Sequence, residues 1–268
     1  MSAVRSPRQE DDAMGNGGVS VTVDGRSATV TFHRPPDNVL DRETVVALES
    51  RLREVARRRD VRLVALAARG EDFCNGTEIL PPGDGRSDSL FEAWHSLVRF
   101  LLTCEVPTCA LVQGRALGAG AELALACDFV FAETTATFGF PEIHRGSFPP
   151  VATVLLERRT GRTKAADLIL CGAAMTAEAA ERRGLINALV NPGDLIEALD
   201  TMRTRLETLS ASSLRLAKRA LNQGCSGDLL AALSAVERTF SRELMKTEDA
   251  AEGAKASLEG RPPVWIDR

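Results

Sequence analysis

The chain has 268 residues, 44% hydrophobic and 26% charged, which suits one large soluble domain or one domain with an appendage. Lys and Arg number 33 against 37 Asp and Glu, a formal charge of −4, so a surface built to neutralise nucleic-acid phosphates is not expected. No apolar run reaches the roughly 18–20 residues of a membrane helix, the opening residues lack the apolar core of a secretion signal, and the absence of Tyr removes phenolic catalytic acids.

Residues 1–17 are polar, without hydrophobic period, and are expected to form a disordered tail. Two β-type runs, 19–23 and 28–33, flank Asp24-Gly25, a hairpin signal. Asp41 is placed to cap a helix reaching about Arg58, with Val45, Leu48, Leu52 and Val55 on one face. Leu63–Ala67 reads as a buried strand, Phe73–Ile79 as a strand-to-loop element, Pro81–Asp88 as a loop by composition, and Leu90–Leu102 as a helix. Pro107–Val112 is a further strand, leading to the glycine-rich turn Gly114–Gly120, a small-residue helix Ala121–Ala126 and a strand Asp128–Ala132. From Thr163 the pattern is nearly all helical, with one strand at Leu185–Val190 and amphipathic helices over Asp194–Leu209, Ser212–Asn222 and Leu229–Met245. Alternating strands and helices predict an α/β core followed by a helical C-terminal part.

Six cysteines form neither a CxxC nor a zinc-type Cys/His cluster, so no metal is expected; they read as reduced, mostly buried thiols of a cytoplasmic protein. The runs Arg57–Arg59 and Arg158-Arg159 read as solvated faces, and His33, His95 and His144 as structural or solvated, with His144 close enough to Glu142 to share a pocket. The turn Gly114–Gly120 opens a helix directly after a strand, where unpaired N–H groups attract negative charge. Its spacing is neither the dinucleotide G-x-G-x-x-G nor a Walker loop; a tight turn with close packing is the alternative. Glu122, in GAGAELALACDFVF, and Glu142, in FGFPEI, are acids in apolar surroundings, where a carboxylate is costly unless paired, hydrogen-bonded or beside a cavity. Two such acids converging on one pocket suit the addition or removal of water; solvated helix and loop glutamates are the alternative.

Four segments, Phe73–Glu78, Gly114–Asp128, Phe138–Gly146 and Glu252–Pro263, in this order and spacing, resemble the crotonase superfamily of enoyl-CoA hydratases and isomerases. The resemblance runs from about residue 19 to 265. It implies a crotonase-like ββα spiral core, 18–195, with the thioester pocket, then a C-terminal helical trimerisation region, 196–268, giving a homotrimer or dimer of trimers. It implies an oxyanion hole made by the backbone N–H groups of Thr77 and Ala119, flanked by Gly76 and Gly118, with Leu80, His144 and Pro150 near the substrate. Glu142 would donate the α-carbon proton and Glu122 would activate water for the β-carbon. The implied activity is reversible syn hydration of a 2-enoyl thioester to a 3-hydroxyacyl thioester. No cofactor is implied, since CoA or phosphopantetheine is part of the substrate, an acyl-CoA or acyl-carrier-protein thioester.

Against the family pattern, Leu80 and Glu71 stand where basic CoA contacts are common, leaving Arg69 or Arg34, or a carrier protein, to fill that role. Phe148-Pro149-Pro150-Val151 replaces the usual glycine-rich run, and Pro150 lacks the N–H that could bond water or Glu142. That replacement resembles branches that hydrate cyclic dienoyl-CoA or dehydrate carrier-bound hydroxymethylglutaryl groups in polyketide β-branching. A double-bond isomerase, and a partner- or acyl-binding member without turnover, are the remaining readings.

Overall fold

The computed structural model of the chain describes residues 16–81, 85–224 and 229–265. The expected tail falls almost wholly outside the described residues, as does Cys225. Strands β1 (Val19–Asp24) and β2 (Ser27–Phe32) pair antiparallel about Gly25-Arg26, one residue later than the Asp24-Gly25 signal, because Gly25 supplies the left-handed φ of 58°. Helix α1 (Arg42–Arg57) starts where Asp41 accepts the Thr44 N–H, and β3 (Leu63–Ala68) follows. Helix α2 (Gly85–Thr103) begins five residues before the predicted Leu90, since Asp88 sits in its first turn, where the helix dipole favours an acid.

Next come β4 (Thr108–Val112), β5 (Arg115–Leu117), α3 (Ala119–Ala126), β6 (Phe129–Glu133) and β7 (Thr137–Gly139). A 3-10 turn over Pro141–Arg145 leads to α4 (Pro150–Thr160), α5 (Arg162–Leu170), β8 (Ala174–Thr176), α6 (Ala177–Arg182) and β9 (Ala188–Val190). Helices α7 (Leu195–Glu207), α8 (Ala211–Gly224), α9 (Leu229–Arg242) and α10 (Glu248–Glu259) close the chain. The three-residue strands β5, β7 and β8 are too short to show an alternation, and sequence reading misses all three.

The strands form two sheets. A six-stranded sheet has the order β1-β2-β3-β4-β6-β9, parallel after the hairpin, and a three-stranded sheet the order β5-β7-β8. Isolated parallel bridges Leu40–Thr77 and Cys74–Ala116 carry the second sheet's pattern on to earlier segments. Each coil of chain thus gives one strand to the large sheet, a short extended piece to the small one, and then a helix: β2, Leu40, α1; β3, Cys74–Thr77, α2; β4, β5, α3; β6, β7, α4. This repetition is the ββα spiral.

The large sheet is buried on both faces, as parallel strands require. Val64, Leu66, Ala110, Val112, Val130 and Ala132 face the main core with α1 to α4. Alternating with them, Leu63, Ala65, Cys109, Leu111 and Phe131 face Leu195, Leu199 and Leu206 of α7. Arg159, expected on a solvated face, is half-buried and donates to the Leu125 and Cys127 carbonyls, closing the C-terminal end of α3. Four cysteines are buried and free, and Cys171 is exposed.

Helix α8 is pinned by Lys218, whose side chain is 5% exposed, 2.6 Å from Asp128 and 2.8 Å from the Val106 carbonyl. Asp128 also accepts the Thr108 N–H and hydroxyl. Lys218→Met leaves the Val106 carbonyl without its donor while exposed Asp128 keeps the Thr108 donors, so the substitution is expected to cost about 1–2 kcal/mol in urea unfolding.

Candidate active site

The ends of three successive coils meet at one cavity of about 170 Å³. Thr77 follows the extended segment of the second coil. Leu40 N–H donates to Gly76 O and Glu78 N–H to Leu40 O, at 2.8 and 3.0 Å. In a planar trans peptide the Gly76 carbonyl, aimed at Leu40, forces the Thr77 N–H to the opposite side. Ala119 follows β5 and is the first residue of α3. The Gly118 carbonyl accepts the Glu122 N–H at 2.9 Å, so the Ala119 N–H leaves the helix start in the other direction. Both residues line the cavity.

The glycines of the turn have specific work. Gly118 adopts φ 53°, ψ −121°, and a Cβ there would lie 2.2 Å from Glu142 Oε1. At Gly120 a Cβ would lie 2.1 Å from the Cys74 carbonyl, so only glycine lets α3 pack against the preceding coil.

Glu122 is 2% exposed. Its Oε1 accepts N–H groups of Val151 and Ala152, each at 2.9 Å, and Oε2 accepts the Trp94 indole N–H at 3.2 Å. Those two amides belong to the first turn of α4, which Pro150 opens. Pro at that position forfeits an N–H with no intrahelical partner, and the amides that follow serve Glu122 rather than Glu142. Glu142, on the 3-10 turn after β7, has its Oε2 fully buried without a hydrogen-bond partner among the described residues. Burial pushes the Glu142 carboxyl up to about 7, and burial plus the charge of Glu142 push Glu122 up to about 8. The two titrate as a pair. Three N–H donors favour charge on Glu122, against its burial and the charge of Glu142, while the Glu142 Oε2 has no such donor among the described residues.

Gly76, Leu80 and Pro150 join Thr77, Gly118, Ala119 and the two glutamates in the wall. His144 does not: it is exposed, and its Nε2 fills the space a Cβ at Gly172 would occupy, because the 3-10 turn rotates it away from Glu142. Sequence reading missed Trp94 and the amides of Val151 and Ala152. It also missed an aromatic wall in which Phe240 stacks on Phe91 at 4.9 Å and meets Phe148 edge-on at 5.3 Å. Two signals were available: Pro149-Pro150 before an apolar run marks a helix start, and Trp94 shares the spacing of Leu90, Leu97 and Leu101. The cavity wall therefore carries two peptide N–H groups turned away from Leu40 and from the body of α3, a carboxyl held by three donors and a second buried carboxyl oxygen without one among the described residues. That set can stabilise an oxyanion and move protons to and from adjacent carbons.

Residues 24–268 match the family model described as enoyl-CoA hydratase/isomerase. The chain is 34% identical to cyclohexa-1,5-dienecarbonyl-CoA hydratase of Thauera aromatica, over 91% of this chain and 95% of that protein. Among solved structures, it is similar to a carnitinyl-CoA hydratase from Mycobacterium avium, with a TM-score of 0.79 and 32% identity over 94% and 99% of the two chains. It is also similar to an enoyl-CoA hydratase from Mycobacterium avium subsp. paratuberculosis, with a TM-score of 0.83 and 27% identity over 93% and 99%.

The glutamate pair makes stability depend on pH. A carboxyl whose folded value lies above its unfolded one favours the fold most at low pH, and that contribution is lost as pH climbs from about 4.5 through the folded value. Relative to the Glu122→Gln/Glu142→Gln double variant, the wild type is expected to lose roughly 3–6 kcal/mol between pH 5 and 8.5, measured by denaturant unfolding, with the steepest fall near pH 6, between the unfolded and folded values.

Proposed function

This chain belongs to the enoyl-CoA hydratase/isomerase family, and we propose that it is a lyase that adds water reversibly and syn across the double bond of a 2-enoyl thioester. The observation that carries this is the joint presence, at one cavity, of two carboxyls raised toward neutrality and of Thr77 and Ala119, whose N–H groups the peptide geometry turns away from Leu40 and from the body of α3. The thioester carbonyl accepts the N–H groups of Thr77 and Ala119. Ionised Glu122 takes a proton from water as its oxygen bonds to the β-carbon, and protonated Glu142 gives its proton to the α-carbon. The enolate that forms between these events is held by the two amides. Transfer of a proton from Glu122 to Glu142 restores the starting state, and dehydration is the reverse. The reaction as written needs no cofactor beyond the thioester.

The thioester's CoA or phosphopantetheine arm is expected along the mouth beside Leu80, where Arg42 and Arg86 share a shallow depression with Glu78. Arg34, a handle on sequence grounds, is engaged by Asp41 at 3.0 Å and Glu78 at 2.8 Å, and Arg86 also pairs with Glu78, at 3.9 Å, which favours Arg42 over both. A cyclic dienoyl thioester is a second reading of the acyl group. The aromatic cluster of Phe91, Phe148 and Phe240 supports it, as does the substrate in the name of the Thauera relative. Exposed Leu216 and Leu221 on α8, Leu230 on α9 and Leu258 on α10 support assembly as a homotrimer or dimer of trimers through the helical region. Among the described residues no helix is long and apolar enough to cross a membrane. The buried free thiols suit a cytoplasmic setting.

Purified protein is expected to deplete the enoyl absorbance of crotonyl-CoA or of a cyclic dienoyl-CoA, with oxygen from labelled water entering the product. Glu122→Gln and Glu142→Gln should each lower the rate by roughly 10²-fold or more. Wild-type rates in both variants would refute the assignment, and turnover without label would point to double-bond isomerisation.

A further inference from the structure

The acyl side of the cavity contains a polar group that hydration does not use. His95, one residue beyond the Trp94 that holds Glu122, is 5% exposed and lines the cavity beside Phe91 and Phe240. Its ring lies 4.2 Å from that of Phe91, which itself stacks on Phe240. Nδ1 stands 2.7 Å from Oε1 of Glu237, on α9. The other oxygen of Glu237 is fixed by Arg99, which also donates to the Ser234 hydroxyl at 2.9 Å. His95 Nδ1, His95 Nε2 and Glu237 Oε1 are all buried and none has a hydrogen bond of good geometry among the described residues, so the Nδ1–Oε1 approach is a close polar contact.

The protonation state follows from these neighbours. Burial holds the imidazole down at about 4, outweighing the pull of Glu237, so the ring is neutral at physiological pH. A neutral ring facing a carboxylate through Nδ1 keeps its proton on that nitrogen, and Nε2 is left as an acceptor. A buried acceptor without a donor costs free energy unless something entering the cavity supplies one. An entering hydroxyl supplies one once the covering side chains admit it, whereas an all-hydrocarbon acyl chain cannot.

We propose that His95, oriented by Glu237 and Arg99, selects substrates whose acyl group carries a hydroxyl, which donates to Nε2. This rests on the reading of the cavity as an acyl-thioester site, and it narrows the substrate class from plain 2-enoyl thioesters to hydroxylated ones. Phe91 and Phe240 then pack on the hydrocarbon between the hydroxyl and the reacting carbons. His95 is a binding residue here and takes no part in the proton transfers.

The test uses full-length protein and saturated acyl-CoA probes, which cannot be turned over. Straight-chain acyl-CoAs of five to eight carbons, each with a terminal hydroxyl, are compared with the unsubstituted acyl-CoA of equal length by titration calorimetry. Crotonyl-CoA hydration is measured on the same preparation. At one chain length the wild type is expected to bind the hydroxylated probe about tenfold tighter, the size of a well-made hydrogen bond to a buried acceptor. In His95→Leu that ratio should fall to about one. His95→Gln, which keeps a polar terminus and guards against misfolding of the leucine variant, should give an intermediate ratio. A ratio near one at every length in the wild type, or an unchanged ratio in His95→Leu, overturns the proposal, as does failure of either probe set to bind. Hydration of crotonyl-CoA with no hydroxyl preference rejects the role of His95 alone. A His95-dependent preference without hydration upholds it and rejects the hydratase reading instead.

Discussion

A carboxylate that is 2% exposed must be held by donors or give up its charge, and the way Glu122 is held organises the site. Two of its donors are first-turn amides of α4 and the third is the indole of Trp94 on α2. One side chain therefore fixes three helices relative to one another. The amides of a helix start are ready for this because they have no partners within their own helix. Pro150 fits as the opening residue, since the N–H it lacks had no intrahelical acceptor to lose.

The second organising feature is the regular advance of the coil. Thr77, Ala119 and Glu142 each stand two or three residues past the short strand of their own turn, after Cys74, Leu117 and Gly139. Because adjacent short segments are joined side by side, equivalent positions on successive turns stack over one cavity. Residues more than sixty positions apart in the chain become neighbours without any long loop. The close approach this demands is visible at Gly118 and Gly120, where any Cβ would collide with the neighbouring coil.

The large elements were legible in the sequence because they carry length and pattern: the continuous apolar runs of β3 and β4 and the apolar face of α1 survive in the structure almost residue for residue. The short strands were not, because three residues cannot display an alternation and their pairing is settled by the previous coil. Glu122 and Glu142 stood out as acids in apolar surroundings, and the fold brings both to the cavity wall. His144 was misplaced because sequence distance from Glu142 says nothing of the rotation of a 3-10 turn. Trp94, His95 and the α4 amides were passed over because a helix face reads as core whether it meets other side chains or an opening. Arg159 likewise looked like a surface charge, although its target is a set of backbone carbonyls that no sequence pattern displays.

That arginine has a wider consequence. Helix α4 grips α3 twice, through amides on Glu122 near one end and through Arg159 on the carbonyls of Leu125 and Cys127 at the other. The two helices are braced into a unit that bears Glu122, whereas α2 and α9 furnish Phe91 and Phe240 of the aromatic side. Under the proposed function, reaction chemistry and molecular taste then draw largely on different elements, joined by Trp94 of α2, which donates to Glu122. Descendants of such a scaffold can alter what they accept by redecorating one wall while the inherited reaction stays intact on the other.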